Sequence, residues 1–302
     1  MDMETVIVSR SAEQHDLESP PNRTRLEFTQ RGVRLSLTLD LFNFGCDLRE
    51  REFHYVHQAP PFCRLFHFTG KTSPGAEIVS GGTVRRFDTG AVCLLNAEHS
   101  FDVRYFAGSQ LCYAHLRLTD GTRRPVFRDS PPVLELRNPL LNAFLEQAWR
   151  DGTPLDIQNA VAAAVGKFAE PLLDRLRERE ELFGRFAPML AAIDATPPAG
   201  LRVSELADRM NMTPFALSKS FRRKTGLPLK AYLDSIYLDR ARELLICSGG
   251  TVEEVARQLG HGDVHYFYHA FRRLTGCSPG EYRAARADFS TKTDQCPEIA
   301  RL

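Results

Sequence analysis

The second half of this 302-residue chain contains an internal repeat. Residues 221–226, FRRKTG, recur as residues 271–276, FRRLTG, at an offset of 50 positions. Upstream, ELA at 205–207 recurs as EVA at 254–256, at an offset of 49. A repeat of this kind indicates that one supersecondary unit is used twice, and this constrains the fold more than any single motif does.

The repeated unit has the pattern of a helix, a tight turn and a second helix. Asn211 stands in the first turn and Gly260 in the second, and both residue types tolerate a positive φ. The aromatic Phe221 and Phe271 are expected to face inward from the second helices. This pattern is typical of the helix-turn-helix, whose second helix lies in the major groove of DNA. Two ordinary helical hairpins are the alternative.

The segment between the two copies, residues 229–247, has apolar residues at helical spacing and predicts one connecting helix. At about 1.5 Å per residue it would span roughly 28 Å, close to the roughly 34 Å helical repeat of DNA. Residues 185–289 contain 15 basic and 11 acidic residues, whereas residues 1–184 contain 22 and 25. The C-terminal third, with net charge +4 against −3, is therefore the part expected to contact a polyanion.

Residues 185–289 resemble the DNA-binding domain of the AraC/XylS family of bacterial transcription regulators. The resemblance rests on VSELADRMNMTPFALSKSFRRKTGLPLKAYL, LDRARELL and VEEVARQLGHGDVHYFYHAFRRLTGCSPGEYR. It implies a homodimeric transcription regulator, an activator or a repressor, whose partners are double-stranded DNA, RNA polymerase and a small-molecule effector. The lack of a signal-peptide pattern and of a cysteine framework favours a cytoplasmic protein. Two positions depart from the family pattern. His261 replaces a packing Phe, which is expected to loosen the second unit, and His269 replaces a common Arg, which weakens any inferred contact with guanine.

The outward positions of the two second helices are expected to read base edges, and these are Phe215, Ser218, Lys219, Val264, His265, Tyr268 and His269. The arginines that close the helices are expected to contact phosphates and supply salt-dependent affinity, and these are Arg222, Arg223, Arg272 and Arg273. A solvated basic face is the alternative for these arginines. His265 and His269 share a helix face, as a metal-binding pair would, but no acid or Cys stands at ligand spacing, so no metal is expected. Acidification towards pH 6 is expected to tighten DNA binding by charging them.

The first half of the chain predicts many short strands. Leu35, Leu37 and Leu39 alternate with polar residues, as in a half-buried strand. Similar segments lie at 63–69, 76–80, 83–88, 91–95, 101–106 and 111–118, with Gly-containing turns between several of them. These features predict a small antiparallel β-barrel or sandwich. Helices follow at 138–150 and about 157–181, where Pro171 is expected to kink or split the second. They either form a dimer seam or cover the barrel.

The predicted barrel resembles the cupin-like effector domain of AraC-type regulators through residues 90–99, GAVCLLNAEH, and 113–116, YAHL. The resemblance implies a small, sugar-like effector inside the barrel. The candidate effector-binding residues are Phe66, His67, Arg85, His99, Tyr113 and His115. One alternative is a metal-dependent cupin enzyme, although the spacing of His54 and His57 does not match a His-x-His ligand pair. The other is a barrel that serves only for dimerisation or partner docking.

The sequence therefore predicts an α+β protein of two domains, namely a small antiparallel cupin-like β-barrel followed by helices and then an all-α double helix-turn-helix. The expected segments are a loose leader at 1–24, a sensor barrel at 25–130, coupling or dimerisation helices at 131–184, the DNA-binding domain at 185–289 and a tail at 290–302. No apolar run of membrane-spanning length and no signal peptide pattern occurs. The seven scattered cysteines lack a CxxC pair, so a reduced chain without a disulfide framework is expected. No catalytic residue and no cofactor are predicted.

Overall fold

The computed structural model describes residues 7–9, 22–30, 33–57, 59–71, 74–97 and 99–285. The chain divides into two compact units between Glu178 and Arg179. The strands are β1 Ile7–Ser9, β2 Asn22–Gln30, β3 Val33–Arg49, β4 Phe53–His57, β5 Cys63–Phe68, β6 Ala76–Ser80, β7 Thr83–Phe87, β8 Val92–Leu95, β9 Phe101–Tyr105, β10 Ser109–Thr119 and β11 Val133–Leu136. The α-helices are α1 Pro139–Asp151, α2 Pro154–Ala169, α3 Leu173–Phe183, α4 Ala187–Ala195, α5 Val203–Arg209, α6 Pro214–Thr225, α7 Leu229–Cys247, α8 Val252–Gln258, α9 Val264–Thr275 and α10 Pro279–Ala284.

The N-terminal unit contains two antiparallel sheets. The larger has seven strands in the order β1-β2-β3-β10-β5-β8-β11, and the smaller has four in the order β4-β9-β6-β7. The expected α+β class, with an antiparallel β-rich unit before a helical unit, is confirmed. In the described part of the chain the strands form these two sheets and not a single closed ring, because β4, β9, β6 and β7 pair only among themselves.

The two sheets share an apolar interior. Side chains from β5 and β10 of the larger sheet pack with side chains from the smaller sheet, and this cluster includes Phe66, Phe68, Leu111, Ile78, Phe101, Val103 and Tyr105. Phe66 and Phe68 of β5 both belong to it, because alternate side chains of a strand point to the same face. Cys63 and Leu65 belong instead to the cluster on the other face of the sheet.

Helices α1 and α2 cover that other face of the seven-stranded sheet. Leu145 and Val161 are fully buried in one cluster with Leu37 and Leu39 of β3. The helices therefore cover the β-structure, which is one of the two roles expected for them. Pro171 lies in a 3-10 turn, Glu170–Leu172, which separates α2 from α3, so the expected split is confirmed.

The expectation of a reduced chain is wrong at one place, because Cys46 and Cys112 form a disulfide. The two residues are 66 positions apart in sequence and lie directly opposite each other in the register of β3 and β10. Register between distant strands depends on tertiary packing, so cysteine spacing could not show this pair. Cys63, Cys93 and Cys277 are free thiols.

The C-terminal unit contains the two predicted helix-turn-helix copies, α5–α6 and α8–α9, joined by α7. Asn211 and Gly260 have φ values of 51° and 91°, as expected for the two turns. Phe221 and Phe271 are both fully buried. Helix α7 has the predicted bounds. No helix among the described residues is long and apolar enough to cross a membrane.

Several strands were not expected from the sequence. The segment predicted to be a loose leader contributes β1 and the first residues of β2, and these two strands pair with each other. Strands β4 and β11 were also missed. The rest of the leader and the predicted tail at 290–302 lie outside the described residues.

Candidate nucleic-acid interface

The first candidate recognition helix is α6. Its N-terminus is set by Thr213, whose hydroxyl accepts a hydrogen bond from the backbone N–H of Ala216 at 3.2 Å, and by Pro214 in the first turn. Leu217 and Phe221 are fully buried among apolar side chains of α4, α5 and α7. The opposite side is open to solvent, and the Phe215 side chain is 77% exposed there.

The second candidate recognition helix is α9. Asp263 caps it by accepting a hydrogen bond from the backbone N–H of His265 at 2.8 Å. Phe267 and Phe271 are buried, with ring centroids 5.7 Å apart. On the outer side His265 and His269 are exposed. Tyr266, which the sequence analysis missed, is 70% exposed.

The repeated motif FRRxTG ends each recognition helix in the same way. The hydroxyls of Thr225 and Thr275 donate to the backbone carbonyls of Phe221 and Phe271, each at 2.8 Å. Gly226 and Gly276 then take the left-handed conformation, with φ values of 76° and 81°. Thr-Gly is therefore a helix stop. The arginines at 222, 223, 272 and 273 remain exposed in the last turns of α6 and α9, where the helix dipole favours positive charge.

The predicted base-reading and phosphate residues lie on comparable surfaces of the two copies. Phe215, Lys219, His265 and His269 are exposed, as are all four arginines at 222, 223, 272 and 273. Ser218, Val264 and Tyr268 are only partly exposed. The hydroxyl of Ser218 donates to the carbonyl of Pro214 at 2.8 Å, so part of its hydrogen-bonding capacity is used inside the helix. Tyr266 lies three residues before His269, and this spacing places it on the same helix face.

His261 lies in the turn of the second helix-turn-helix, where it contacts α7 and α9. Its Nε2 lies 2.8 Å from the hydroxyl of Tyr237 on α7, and its ring centroid lies 5.7 Å from that of Phe267. Burial lowers the pKa of His261, which favours the neutral ring. The polar ring that replaces the usual Phe is thus accommodated by a hydrogen bond from the connecting helix.

The six candidate effector-binding residues do not form one group. Phe66, Tyr113 and His115 lie on the faces of β5 and β10 that point between the two sheets, and the rings of Tyr113 and His115 are 5.3 Å apart. His67 points to the opposite face and contacts Asn142 of α1. Arg85 donates to the carbonyl of Val133 at 3.2 Å, and His99 lies in the loop before β9.

Arg64 joins the first group and was missed by the sequence analysis. Its side chain is 1% exposed, and its guanidinium lies 5.6 Å from the ring centroid of Phe62 and 5.4 Å from that of Phe101. Burial and the neighbouring Arg64 charge lower the pKa of His115 to about 3. Strict alternation from Phe66 along β5 is the signal that could have placed Arg64 on this face.

No group of three or more His, Cys, Asp or Glu side chains that could hold a metal ion occurs among the described residues. His265 and His269 on α9 are therefore not part of such a group.

Two helix-turn-helix units, joined by a helix and each presenting an open second helix, define a double helix-turn-helix DNA-binding domain. Residues 206–285 match the family model described as a helix-turn-helix domain. The xylose operon regulatory protein of Escherichia coli K12 is 27% identical over 89 residues, which are 30% of this chain and 23% of that protein. Regulatory protein PocR of Salmonella typhimurium is 32% identical over 94 residues, 31% of each chain. The helix-turn-helix domain of this chain is thus similar to that of AraC/XylS-type regulators, and the similarity is confined to this domain.

This chain spans between about a quarter and a third of the length of these curated relatives. Among solved structures, ToxT of Vibrio cholerae with a bound unsaturated fatty acid aligns over 80% of this chain and 95% of its own, with a TM-score of 0.40 and 14% identity.

Proposed function

We propose that this protein is a sequence-specific transcription regulator, and not an enzyme, that binds double-stranded DNA through α6 and α9 in successive major grooves. The observation that carries the proposal is the pair of exposed stripes at equivalent repeat positions, Phe215 with Lys219 and His265 with His269. The same helices bury Phe221 and Phe271 on their other sides, so the stripes are free to contact a partner. A bacterial regulator of this kind acts in the cytoplasm, the compartment that contains the DNA.

Within this proposal, base edges are read by Phe215, Ser218, Lys219, Val264, His265, Tyr268 and His269. The exposed phenol of Tyr266 adds a further contact on the same face. Apolar and aromatic surfaces of this kind contact thymine methyl groups, whereas Lys219 suits guanine. Arg222, Arg223, Arg272 and Arg273 contact phosphates and set affinity without choosing sequence.

The test is binding of the full-length chain to the DNA upstream of its own gene over a salt series. Selective binding that weakens with salt is expected. Arg272→Ala should weaken binding to all sequences and lower the salt slope by about 1, whereas Lys219→Ala should also relax sequence preference. Arg150→Ala, at an exposed position of α1, is the charge-matched control. Absence of any binding at low salt would contradict the proposal.

We propose that the N-terminal unit binds a small molecule between its two sheets. The group that supports this consists of Phe66, Tyr113 and His115 with the buried Arg64, since a buried cation beside aromatic rings offers both charge and apolar contact. The family resemblance suggests a sugar-like compound. The test is a screen of metabolites for a change in DNA affinity, with Tyr113→Phe expected to weaken the response. Thr83→Val, which removes a hydroxyl at an exposed position of β7, is the control.

We propose that the chain dimerises through the outer face of α1, in line with the family resemblance. Leu140 and Phe144, one helical turn apart, are 84% and 44% exposed while the inner face of the helix is buried. Leu140→Glu should reduce the dimer fraction in sedimentation equilibrium. Leu48→Glu, at an exposed leucine of β3, should not. A monomer at all concentrations would contradict this proposal without affecting the DNA-binding one. Contact with RNA polymerase, as an activator requires, is proposed from the family resemblance alone.

A further inference from the structure

The disulfide between Cys46 and Cys112 lies beside a buried histidine. Cys112 of β10 is directly opposite Cys46 of β3 on one side and directly opposite His67 of β5 on the other. Residues opposite each other in neighbouring strands point to the same face of a sheet. The three side chains therefore form one row on the face that α1 covers. Cys112 is 2% exposed, and Cys46 is partly exposed.

The hydrogen bonds of His67 determine which of its nitrogens carries the proton. Nε2 lies 2.5 Å from Oδ1 of Asn142, whose amide nitrogen donates to Oε1 of Glu146 at 3.0 Å. An amide oxygen only accepts, so Nε2 carries the hydrogen. Burial lowers the pKa of His67, which favours the neutral ring. Nδ1 is then a bare acceptor, and it is buried without a hydrogen-bond partner.

A buried acceptor without a donor destabilises the state in which it occurs. A disulfide has no hydrogen to donate, whereas a thiol is a weak donor. Reduction frees the Cys112 side chain to rotate, and its S–H, on the same sheet face as His67 in the neighbouring strand, can then donate to Nδ1. The other polar group beside this sulfur is the hydroxyl of Thr69, 3.9 Å away, which can donate to the sulfur. The reduced form of the pair thus gains a hydrogen bond that the disulfide form lacks, and a disulfide whose reduced form is stabilised is more easily reduced.

We propose that Cys46 and Cys112 form a reversible thiol–disulfide exchange site for small thiols, and that Nδ1 of His67 accepts the hydrogen of the reduced Cys112. The setting rests on the proposed function, because a DNA-binding regulator works among the small thiols that keep most cysteines reduced. A disulfide in that environment is typically transient or redox-sensing.

The exchange balances with two equivalents of a small thiol. The thiolate of the first attacks the sulfur of Cys46, the partly exposed residue of the pair, the S–S bond breaks, and Cys112 leaves and takes up the proton that the attacking thiol lost. The second thiolate attacks the mixed disulfide, and Cys46 leaves and takes up the second proton. Two electrons pass to the protein, and the products are one small-molecule disulfide and two protein thiols.

The test equilibrates the full-length protein anaerobically with glutathione and glutathione disulfide at graded ratios, alkylates the free thiols, and counts the modified cysteines by mass spectrometry. Cys46 and Cys112 are expected to change together from disulfide to alkylated thiol within the series, while the buried Cys63 and Cys93 stay reduced. A pair that stays reduced at the most oxidising ratio, or oxidised at the most reducing one, would overturn the proposal. DNA binding does not enter the measurement, so its outcome is independent of the proposed function.

The role of His67 is tested by His67→Phe, which removes the acceptor. The ratio of squared glutathione to glutathione disulfide at half-reduction should rise about fivefold, the equivalent of one net hydrogen bond. His67→Asn, which keeps an acceptor oxygen, should restore most of the original value and also serves if the Phe variant does not fold. His99→Phe, in the loop before β9, is the control. An unchanged half-reduction ratio in folded His67→Phe would overturn the assignment of His67.

Discussion

The hydroxyl of Tyr237 lies 2.8 Å from Nε2 of His261, and this hydrogen bond joins the connecting helix α7 to the turn of the second helix-turn-helix. Tyr237 is 7% exposed, and burial raises the pKa of its hydroxyl, so the phenol remains a donor at all physiological pH values. The turn that precedes α9 is therefore fixed both by its own backbone hydrogen bonds and by the hydrogen bond from α7.

Tyr237→Phe should destabilise the C-terminal unit by about 1 kcal/mol, because it leaves the ring nitrogen of His261 without its partner. The measurement is chemical unfolding of the full chain, followed by circular dichroism. Tyr266→Phe is the matched control, since Tyr266 is exposed and removal of its hydroxyl should not change the free energy of unfolding. Equal stabilities of the two variants would show that the hydrogen bond contributes nothing.

The C-terminal unit should lose stability as the pH falls. Burial lowers the pKa of His261 below its ordinary value of 6.5, so folding favours the neutral ring. The stability from this group is complete above the ordinary pKa and is lost as the pH falls through it and through the lower folded value. The melting temperature should therefore fall more steeply below pH 6.5 in the natural protein than in His261→Phe. Parallel curves would contradict this.

Gly260→Ala should destabilise the second helix-turn-helix by about 2 kcal/mol or more. The residue has a φ of 91°, and an added Cβ would lie 2.8 Å from Cβ of Pro197. Gly262→Ala is the control, because a Cβ there meets nothing within 4 Å and no positive φ is required. Thermal unfolding of both variants measures the difference. Similar decreases in melting temperature would show that the positive φ at Gly260 does not matter for stability.

A His265→Ala, His269→Ala double variant should bind DNA about fivefold or more weakly than the natural protein. Both side chains are exposed on the face of α9 that is proposed to contact DNA. Fluorescence anisotropy at constant ionic strength measures the affinity. Unchanged affinity in the folded double variant would show that this face of α9 does not contact DNA.

The helix-turn-helix copies were predictable because their contacts are local. The apolar spacing placed Phe221 and Phe271 inside, the turns required Asn211 and Gly260, and the open stripe followed from the buried one. Tyr266 was missed although it shares the face of His269 by helical spacing. In the N-terminal unit the alternation of β5 and β10 was visible, but the face that points between the sheets was not. Phe66 and His67 were therefore grouped together, although they lie on opposite faces.

The sequence by itself determined that one supersecondary unit is used twice, that a connecting helix separates the copies, and that a strand-rich unit precedes them. Helical periodicity, turn residues and caps depend on neighbours within a few positions, so they can be read along the chain. Only the tertiary structure decided the two-sheet arrangement, the pairing of Cys46 with Cys112, the orphan nitrogen of His67 and the contact between Tyr237 and His261. Each of these depends on strand register or packing between distant segments, which local sequence patterns do not specify.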